Sequence, residues 1–251
     1  MFIDTHCHLS VEDYDNIDEI IYENRKANIE KIIISGCTKE SIIESIELSN
    51  EYDDVYLTIG YHPSEASIIT DSDIDLFEDQ LKSNKIVGIG EIGLDYHYGD
   101  DNIDKQKELF RRQMSIAEKL HLPVVIHSRD ATLDTINILK EFPNVKGDIH
   151  CFSGSYETAM IYISMGYKIG IGGVVTFKNS KLSEVVKKIG LNNIILETDS
   201  PYLTPEPYRG KKNTSKYIVN IAEKLSEIFD ISIEEVSKIT LNNTYELFDL
   251  K

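Results

Sequence analysis

The sequence is short of cysteine and has no long apolar run. Its three cysteines, Cys7, Cys37 and Cys151, form neither an even set nor a CxxC pair, which argues against a disulfide framework and a paired-cysteine zinc or redox motif. No apolar run approaches the roughly 20 residues that a membrane-spanning helix needs, and no apolar signal sequence precedes Ile3. We therefore expect a reduced, cytoplasmic protein that does not span a membrane.

Positive charge is also scarce. The 26 Lys and Arg residues stand against 43 Asp and Glu residues, for a formal net charge of −17 at pH 7. Such a balance argues against broad, sequence-independent adhesion to nucleic acid or to an anionic membrane. A polyanionic substrate must then be contacted locally, where divalent cations reverse the sign of the field in a carboxylate-lined pocket. Overall charge therefore does not exclude DNA as a substrate, and no obligate protein partner is predicted.

Pro-rich or Ser-rich linkers and internal repeats of solenoid period are absent as well. A chain of 251 residues lies within the range of a single α/β barrel, so residues 1–251 are predicted to form one domain. Hydrophobic residues make up 41% of the chain, enough to bury a sizeable core.

Short β-branched runs alternate with longer amphipathic stretches, a pattern that predicts βα units around a parallel sheet. The predicted strands are Met1–Asp4, Lys31–Ser35, Val55–Ile59, Ile86–Ile89, Pro123–Ile126, Lys146–Ile149, Lys168–Ile171 and Ile194–Glu197. The predicted helices between them include Ile17–Ala27, Lys39–Asn50, Lys105–Leu120, Ala131–Lys140 and Ser215–Phe229. A last helix, Ile233–Phe248, has no strand after it. The sequence therefore predicts an α/β fold, a TIM (β/α)8 barrel with an extra C-terminal helix.

The segment Asp4-Thr5-His6-Cys7-His8 places two imidazoles two residues apart at the end of a strand. In an extended chain this spacing points both side chains to one side, so His6 and His8 can bind one metal together. Neutral imidazole suits zinc, iron or nickel better than magnesium or calcium. Two polar residues in a strand-to-loop turn are the alternative interpretation of this motif by itself.

Four more candidate ligands close apolar strand candidates: Glu91, His127, His150 and Asp199. Taken singly, each could be a hydrogen-bonded residue of the barrel rim, a salt-bridge partner or a helix cap. In a parallel barrel, however, the carboxyl ends of the strands converge on one face. A cluster of this kind without a metal would repel itself and require costly desolvation. We therefore predict a metal centre at this face.

Six ligands exceed what one tetrahedral catalytic zinc uses. A pair of metal ions that share a carboxylate fits better, and such a pair activates water for hydrolysis. The predicted ligands are His6, His8, Glu91, His127, His150 and Asp199. The two divalent ions could be zinc, manganese, magnesium, nickel, iron or cobalt.

Five motifs resemble those of the TatD-type metal-dependent deoxyribonucleases, in the same order and over essentially the whole chain. They are Asp4-Thr5-His6-Cys7-His8, Gly60-Tyr61-His62-Pro63, Gly90-Glu91-Ile92-Gly93-Leu94-Asp95-Tyr96, His150-Cys151-Phe152-Ser153-Gly154 and Glu197-Thr198-Asp199-Ser200-Pro201-Tyr202-Leu203. The resemblance implies a TIM barrel of the amidohydrolase superfamily. It also implies metal-dependent DNA hydrolysis, often as a 3′-to-5′ exonuclease.

The resemblance implies a role for each candidate. His6 and His8 would hold one metal with Asp199, Glu91 would bridge, and His127 with His150 would hold the second. The implied catalytic residues are Asp199, Glu91 and His62. Asp199 would orient the attacking water and accept its proton.

His62 is expected in the pocket without binding metal, where it would contact a phosphate or the leaving group; a plain structural role is the alternative. Ser64 departs from the family, which often has a second histidine there. This departure concerns substrate handling rather than the proposed ligands.

Basic side chains near the motifs are predicted to contact phosphate. They are Arg129 and, in the loop after Asp199, Arg209, Lys211 and Lys212; a solvated charged loop is the alternative. Tyr96, Tyr202 and Tyr208 are candidates to stack on bases, although most tyrosines pack. Cys7 and Cys151 adjoin proposed ligands but are expected to face the barrel wall, because neighbours on a strand point to opposite sides.

Two other functions stay open at this point. One is a related hydrolase that acts on a non-nucleic-acid ester or amide, including an aminoacyl ester, because one barrel and one metal pair serve many substrates. A carbamylated lysine bridge would favour that chemistry, but Glu91 occupies the bridging position. The other is a non-catalytic barrel stabilised by metal, against which the presence of Asp199 argues.

Overall fold

The computed structural model describes residues 1–83, 85–97, 99 and 102–250. Within these residues, eight parallel strands follow one another around one sheet, each paired with the next along the chain. The strands are β1 (Phe2–Cys7), β2 (Ile29–Gly36), β3 (Val55–Ile59), β4 (Ile86–Asp95), β5 (Val124–Arg129), β6 (Gly147–Ile149), β7 (Lys168–Ile171) and β8 (Ile194–Leu196). Helices cover the outer face of the strands and side chains fill the barrel interior, so the strands are buried along most of their length.

The sheet closes where β1 meets the segment after β8. Cys7 and Ser200 form an isolated parallel bridge, and the His8 backbone N–H donates to the Ser200 carbonyl at 2.7 Å. The Asp199 N–H donates to the His6 carbonyl at 3.0 Å. These bonds join the first and last strands into a nearly closed barrel, so the predicted TIM barrel is confirmed.

Helices surround the barrel. They are α1 (Ile17–Lys26), α2 (Lys39–Glu51), α3 (Asp71–Gln80), α4 (Ile103–Leu120), α5 (Thr132–Glu141), α6 (Tyr156–Ser164), α7 (Leu182–Ile189), α8 (Ile218–Phe229) and α9 (Ile233–Leu247). The last of these is the predicted extra helix, and the Ser232 side chain caps it by accepting a hydrogen bond from the Glu235 N–H. None of the helices in the described ranges has the length and apolar character needed to cross a membrane.

Three helices, α3, α6 and α7, were not among the predicted segments. All are short, at 8 to 10 residues, so each offers few turns in which a helical period can be recognised. In α6 the apolar residues also surround most of the helix, and Met160 and Ile161 are exposed while Ala159 and Tyr162 are buried. Packing of their buried side chains against the barrel stabilises these helices, and in α7 those side chains lie along one face.

The amino end of the barrel is filled by a separate apolar cluster. Side chains from the early positions of the strands meet the C-terminal residues Phe248 and Leu250. They are Ile3, Ile33, Tyr56, Val87, Val125 and Ile195. The Phe248 side chain is fully buried there. The chain terminus therefore closes the amino end, and the carboxyl end holds the polar side chains described below.

Candidate metal centre

All six predicted ligands lie together at the carboxyl end of the barrel. His6 lies in β1 and His127 in β5, His150 directly follows β6, and Asp199 lies three residues after β8. His6 is fully buried, and Glu91 and His150 are nearly so. The other ligands are partly exposed, so solvent reaches the cluster.

Glu91 does not close a strand, contrary to the prediction from the sequence. β4 continues past Ile89 to Asp95, and its pairing with β5 shifts register between Ile89 and Ile92. Gly93, with φ of +145°, pairs with His127, and a Cβ added to it would collide with the His127 carbonyl oxygen. Glycine thus permits the close approach of the two strands, although glycines weaken the strand pattern in the sequence.

One part of the cluster consists of His6, His8, Asp199 and one oxygen of Glu91. The Nε2 atoms of His6 and His8 are 3.2 Å apart. Glu91 Oε2 lies 3.5 Å from His6 Nε2 and 3.8 Å from His8 Nε2. Asp199 Oδ1 lies 3.9 Å and 3.6 Å from the same two nitrogens. A tetrahedral metal with bonds of about 2.1 Å separates its ligands by about 3.4 Å, so these atoms are spaced to hold one ion.

The other part uses the second oxygen of Glu91. Oε1 lies 2.6 Å from His127 Nδ1 and 3.5 Å from His150 Nε2. Asp199 Oδ1 reaches this part too, at 3.9 Å from His150 Nε2. Glu91, His127 and His150 form a second group whose ligand atoms could hold a metal. The carboxylate of Glu91 therefore faces a different pair of imidazoles with each oxygen.

Electrostatics keep the carboxylate of Glu91 ionised. Burial alone would raise the pKa of Glu91, but the imidazoles of His150 and His127 outweigh burial and hold the pKa well below its ordinary value. Burial likewise opposes charge on His127, yet Glu91 and Asp95 raise the pKa of His127 to about 10. In the absence of a metal ion, protonated imidazoles must neutralise the negative charge of the carboxylates. A bound divalent ion would neutralise that charge instead.

A family model described as TatD related DNase matches residues 3–249. The chain belongs to the TatD family. Among the curated relatives of this TatD-family protein, "Uncharacterized metal-dependent hydrolase YabD" of Bacillus subtilis is 41% identical over 252 residues, which cover 99% of each chain.

Solved structures of TatD proteins share its fold. The crystal structure of YjjV, a TatD homologue from Escherichia coli K12, has a TM-score of 0.92 at 31% identity and covers 100% of this chain and 98% of its own. A TatD-family hydrolase from Entamoeba histolytica has a TM-score of 0.87 at 25% identity and covers 98% of this chain and 97% of its own. The likeness extends over the whole barrel.

Two carboxylates that the sequence analysis did not single out support ligand histidines of this TatD-family site. Asp95 Oδ2 lies 3.3 Å from His127 Nε2, and Glu197 Oε2 lies 3.3 Å from His150 Nδ1. Outer carboxylates of this kind orient metal-binding imidazoles. Burial raises the pKa of Glu197 to about 8. Glu197 ends a predicted apolar strand, so the reasoning that identified Asp199 could have found it. Asp95 lies beyond the predicted end of that strand at Ile89 and stands at a strand end only in the structure.

The cysteines lie closer to the site than the sequence suggested. Cys37 Sγ lies 3.9 Å from His8 Nδ1 and 3.7 Å from Glu91 Oε2. Cys7 faces the barrel wall as expected, with Sγ 3.6 Å from the Ile33 carbonyl oxygen. Cys151 departs from the expectation, because its thiol lies close enough to Asp199 that burial and the charge of that carboxylate together raise the pKa of the thiol well above its ordinary value. Its φ of +48° places it beyond the strand, where side chains no longer alternate between faces.

His62 lies beside the cluster as a hydrogen-bond donor. Its Nδ1 accepts the Ser64 backbone N–H at 3.2 Å and lies 2.9 Å from Ser64 Oγ, so the proton of the neutral ring belongs on Nε2. Burial lowers the pKa of His62 to about 4, which keeps the ring neutral. Nε2 lies 3.9 Å from Glu91 Oε1. His62, Asp95 and His127 are close enough to hold a cation, but a protonated Nε2 cannot be a ligand.

The two predicted substrate-binding arginines both lie on the carboxyl face. Arg129 is exposed at the end of β5, paired in register with Asp95. Arg209 is exposed in the loop after β8, where its guanidinium lies 3.9 Å from the centroid of the Phe177 ring and donates to the Thr204 carbonyl at 3.3 Å. Their contact with a substrate stays a prediction.

Proposed function

We propose that this TatD-family protein is a metal-dependent deoxyribonuclease that hydrolyses phosphodiester bonds at a site for two divalent ions. The observation that supports this most strongly is the position of Glu91. Its Oε2 lies 3.5 Å from His6 Nε2, and its Oε1 lies 3.5 Å from His150 Nε2. A carboxylate with one oxygen toward each imidazole pair is the bridge that a two-metal site requires.

The ligand set fits such ions. Imidazole nitrogens with carboxylates suit zinc, manganese, iron, nickel or cobalt, and cellular supply affects which is used. Two divalent ions held there would lower the pKa of a bound water and stabilise the entering and leaving oxygens of a displacement. Metal dependence also agrees with the name of the relative YabD, an uncharacterized metal-dependent hydrolase.

Asp199 is the proton acceptor in this proposal. Burial alone would raise the pKa of Asp199, but hydrogen bonding to His8 and the charge of His150 hold the pKa below its ordinary value. Its Oδ1 lies within 3.9 Å of ring nitrogens from both parts of the cluster. An ionised carboxylate in that position can orient the attacking water and accept its proton.

His62 is the donor to the substrate. A neutral imidazole with its proton on Nε2 donates a hydrogen bond without adding a positive charge that would repel a metal ion. It stands on the His127 side of the cluster, with the two ring centroids 4.6 Å apart. In this position His62 donates to a phosphate oxygen or to the leaving oxygen.

DNA is the proposed substrate, and digestion from the 3′ end the proposed mode. The matching family model is described as TatD related DNase. Exposed Arg209, Lys211 and Lys212 add positive charge beside the cluster in a chain whose net charge is −17. That local charge favours a polyanionic substrate over a neutral ester or amide.

The test is single-turnover cleavage of end-labelled single-stranded DNA by metal-stripped protein with added manganese, magnesium or zinc. We expect metal-dependent, stepwise shortening from one end, slowed roughly 100-fold or more in Asp199→Asn. The control is Asp53→Asn, which changes an exposed carboxylate just before β3, at the amino end of the barrel. If folded protein binds these metals but cleaves DNA with none of them, the nuclease proposal is wrong. A non-nucleic-acid ester or amide then becomes the candidate substrate.

A further inference from the structure

The four imidazoles of the candidate metal centre differ in what holds their outer ring nitrogen, the one that faces away from the other ligands. Asp95 Oδ2 lies 3.3 Å from this nitrogen of His127, and Glu197 Oε2 lies 3.3 Å from that of His150. Such outer partners fix the tautomer and orientation of a metal-binding ring. Within the described part of the chain, no carboxyl group takes this position at the other two imidazoles.

His8 presents Nε2 to the ligand cluster. That atom lies 3.2 Å from His6 Nε2 and 3.6 Å from Asp199 Oδ1, so it is the atom that would bind an ion, and it must then be unprotonated. The proton of the neutral ring belongs on Nδ1, where it needs an acceptor. Among the described residues, the structure gives His8 Nδ1 one hydrogen-bond partner, Cys37 Sγ at 3.9 Å.

His6 and His8 depend on outer partners to different degrees. His6 Nδ1 has no hydrogen-bond partner among the described residues, but packing holds this fully buried ring, which stacks on His150 with 3.7 Å between the centroids. The His8 side chain is 25% exposed. Because packing constrains His8 less, its orientation depends more on the contact with Cys37.

Cys37 directly follows β2 and is held in place there. Its backbone N–H donates to Ser41 Oγ at 2.9 Å, in the first turn of α2. The thiol has two acceptors in reach, Glu91 Oε2 at 3.7 Å and the Ser35 carbonyl oxygen at 3.5 Å. The ionised carboxylate is the stronger acceptor. A thiol both accepts and donates, so Cys37 can accept from His8 while it donates to Glu91.

Cys37 is not placed as a ligand itself. The groups of side-chain atoms that lie close enough together to share an ion include His6, His8 and Glu91, but no cysteine of the described ranges. We propose that Cys37 is a positioning residue of the metal centre. Its thiol accepts the Nδ1 proton of His8, which leaves Nε2 free for an ion and directs the ring toward Glu91 Oε2. The inference rests on the metal centre of the proposed function and not on DNA as the substrate.

Cobalt titrations of metal-stripped protein, with a competing chelator, test this role. Cobalt(II) suits imidazole and carboxylate ligands, and its visible absorption reports each ion that binds. We expect Cys37→Ala to weaken one of the two binding steps by roughly 10- to 100-fold, the usual effect of losing an outer partner. Cys37→Ser keeps an acceptor and a donor and should restore most of the affinity. Cys7→Ala is the control, because it removes a thiol that faces the barrel wall, and it should bind cobalt like the parent.

A second readout follows the hydrogen bond itself. In zinc-loaded, ¹⁵N-histidine-labelled protein, the Nδ1 proton of His8 should exchange with water faster in Cys37→Ala than in the parent, and Cys37→Ser should slow the exchange again. His8→Gln identifies the resonance. A role of Cys37 in packing alone would not change this exchange.

Parent-like cobalt affinity in Cys37→Ala would overturn the inference, and so would a loss of affinity without faster exchange or without recovery in Cys37→Ser. An intense sulfur-to-cobalt charge-transfer band in the parent that disappears in Cys37→Ala would also overturn it, because the thiolate would then be a ligand. Failure of the nuclease proposal looks different: the parent would bind cobalt but cleave no DNA, and both readouts would still decide the role of Cys37. A parent protein that binds no metal would overturn both proposals.

Discussion

Ser64 donates its backbone N–H to Nδ1 of His62 at 3.2 Å, and the proton of the neutral ring therefore belongs on Nε2, the nitrogen nearer Glu91. This chain thus places a small hydroxyl residue beside a ring that it holds in one tautomer. The consequence is a division of labour among neighbouring imidazoles: His127, which carboxylates keep protonated in the absence of metal, would give up a proton to become a ligand, whereas His62 presents a proton to the substrate.

The tautomer of His62 can be read by ¹⁵N nuclear magnetic resonance of histidine-labelled protein. We expect a protonated Nε2 and an unprotonated Nδ1 in His62, both before and after zinc is added, because Ser64 keeps donating to Nδ1. His62→Gln identifies the resonances. A shift of the His62 Nε2 resonance into the range of a metal-bound nitrogen would instead show that His62, Asp95 and His127 hold an ion.

Metal binding should release protons and strengthen as pH rises. Carboxylates raise the pKa of His127 to about 10, and the pKa of His8 also lies well above its ordinary value because Cys37 and Asp199 outweigh burial. Between pH 7 and 9 the His127 ring is therefore protonated without metal and must lose that proton to become a ligand. Each displaced proton strengthens binding about tenfold per pH unit in this window.

Calorimetry in buffers of different ionisation enthalpy counts these protons. The parent protein should release the His127 proton, and His127→Asn should release one proton fewer. His121→Asn, at the exposed end of α4, should behave like the parent. Binding heats that do not depend on the buffer would contradict the protonated state of His127.

Asp95→Asn should weaken metal binding by 10- to 100-fold. Asp95 Oδ2 lies 3.3 Å from His127 Nε2, and its Oδ1 accepts the His97 backbone N–H at 2.8 Å, so the carboxylate is fixed where it orients the His127 ring. An amide cannot supply the same negative charge. Competition with a chromophoric chelator measures the affinity, and Asp53→Asn is the control. Equal metal affinities of Asp95→Asn and the parent protein would show that Asp95 does not support the metal centre.

Phe248→Ala should lower the free energy of unfolding by about 3–5 kcal/mol, because it leaves a cavity in the cluster at the amino end of the barrel. The side chain is fully buried. Urea unfolding of metal-stripped protein measures the loss, and stripping avoids stabilisation by bound ligand. Leu133→Ala, at a residue that is 71% exposed, should change stability by about 0.5 kcal/mol or less. An equal change in the two variants would show that the terminus does not contribute to the core.

Much of the architecture is determined locally in the sequence. The eight apolar runs have strand length and alternate with amphipathic helices, and strand propensity together with this period is enough to predict the barrel. The predicted β1 ended at Asp4, because the polar residues His6 and His8 interrupt the apolar signal. In the structure the strand runs to Cys7. Polar side chains at the carboxyl end of a barrel strand indicate function, but they also hide from the sequence pattern where that strand ends.

Candidate ligands could be named from sequence because strand order and direction are enough to bring strand ends together. His127, His150 and Asp199 are separated by many residues, yet they lie around one pocket for this reason. The sequence does not show which atoms of these ligands face one another. The register shift in β4 directs the two oxygens of Glu91 to different imidazole pairs, and a change of pairing between strands has no local signature.

The sequence by itself determined the order of the βα units, the barrel and the types of ligand available to a metal. Only the tertiary structure decided which side chains support those ligands and which nitrogen of His62 holds the proton. The physical reason is the range of the interactions. Strand and helix periods depend on neighbours a few residues apart, whereas the contact between Glu197 and His150 at 3.3 Å joins residues 47 positions apart, and only the closed barrel brings them together.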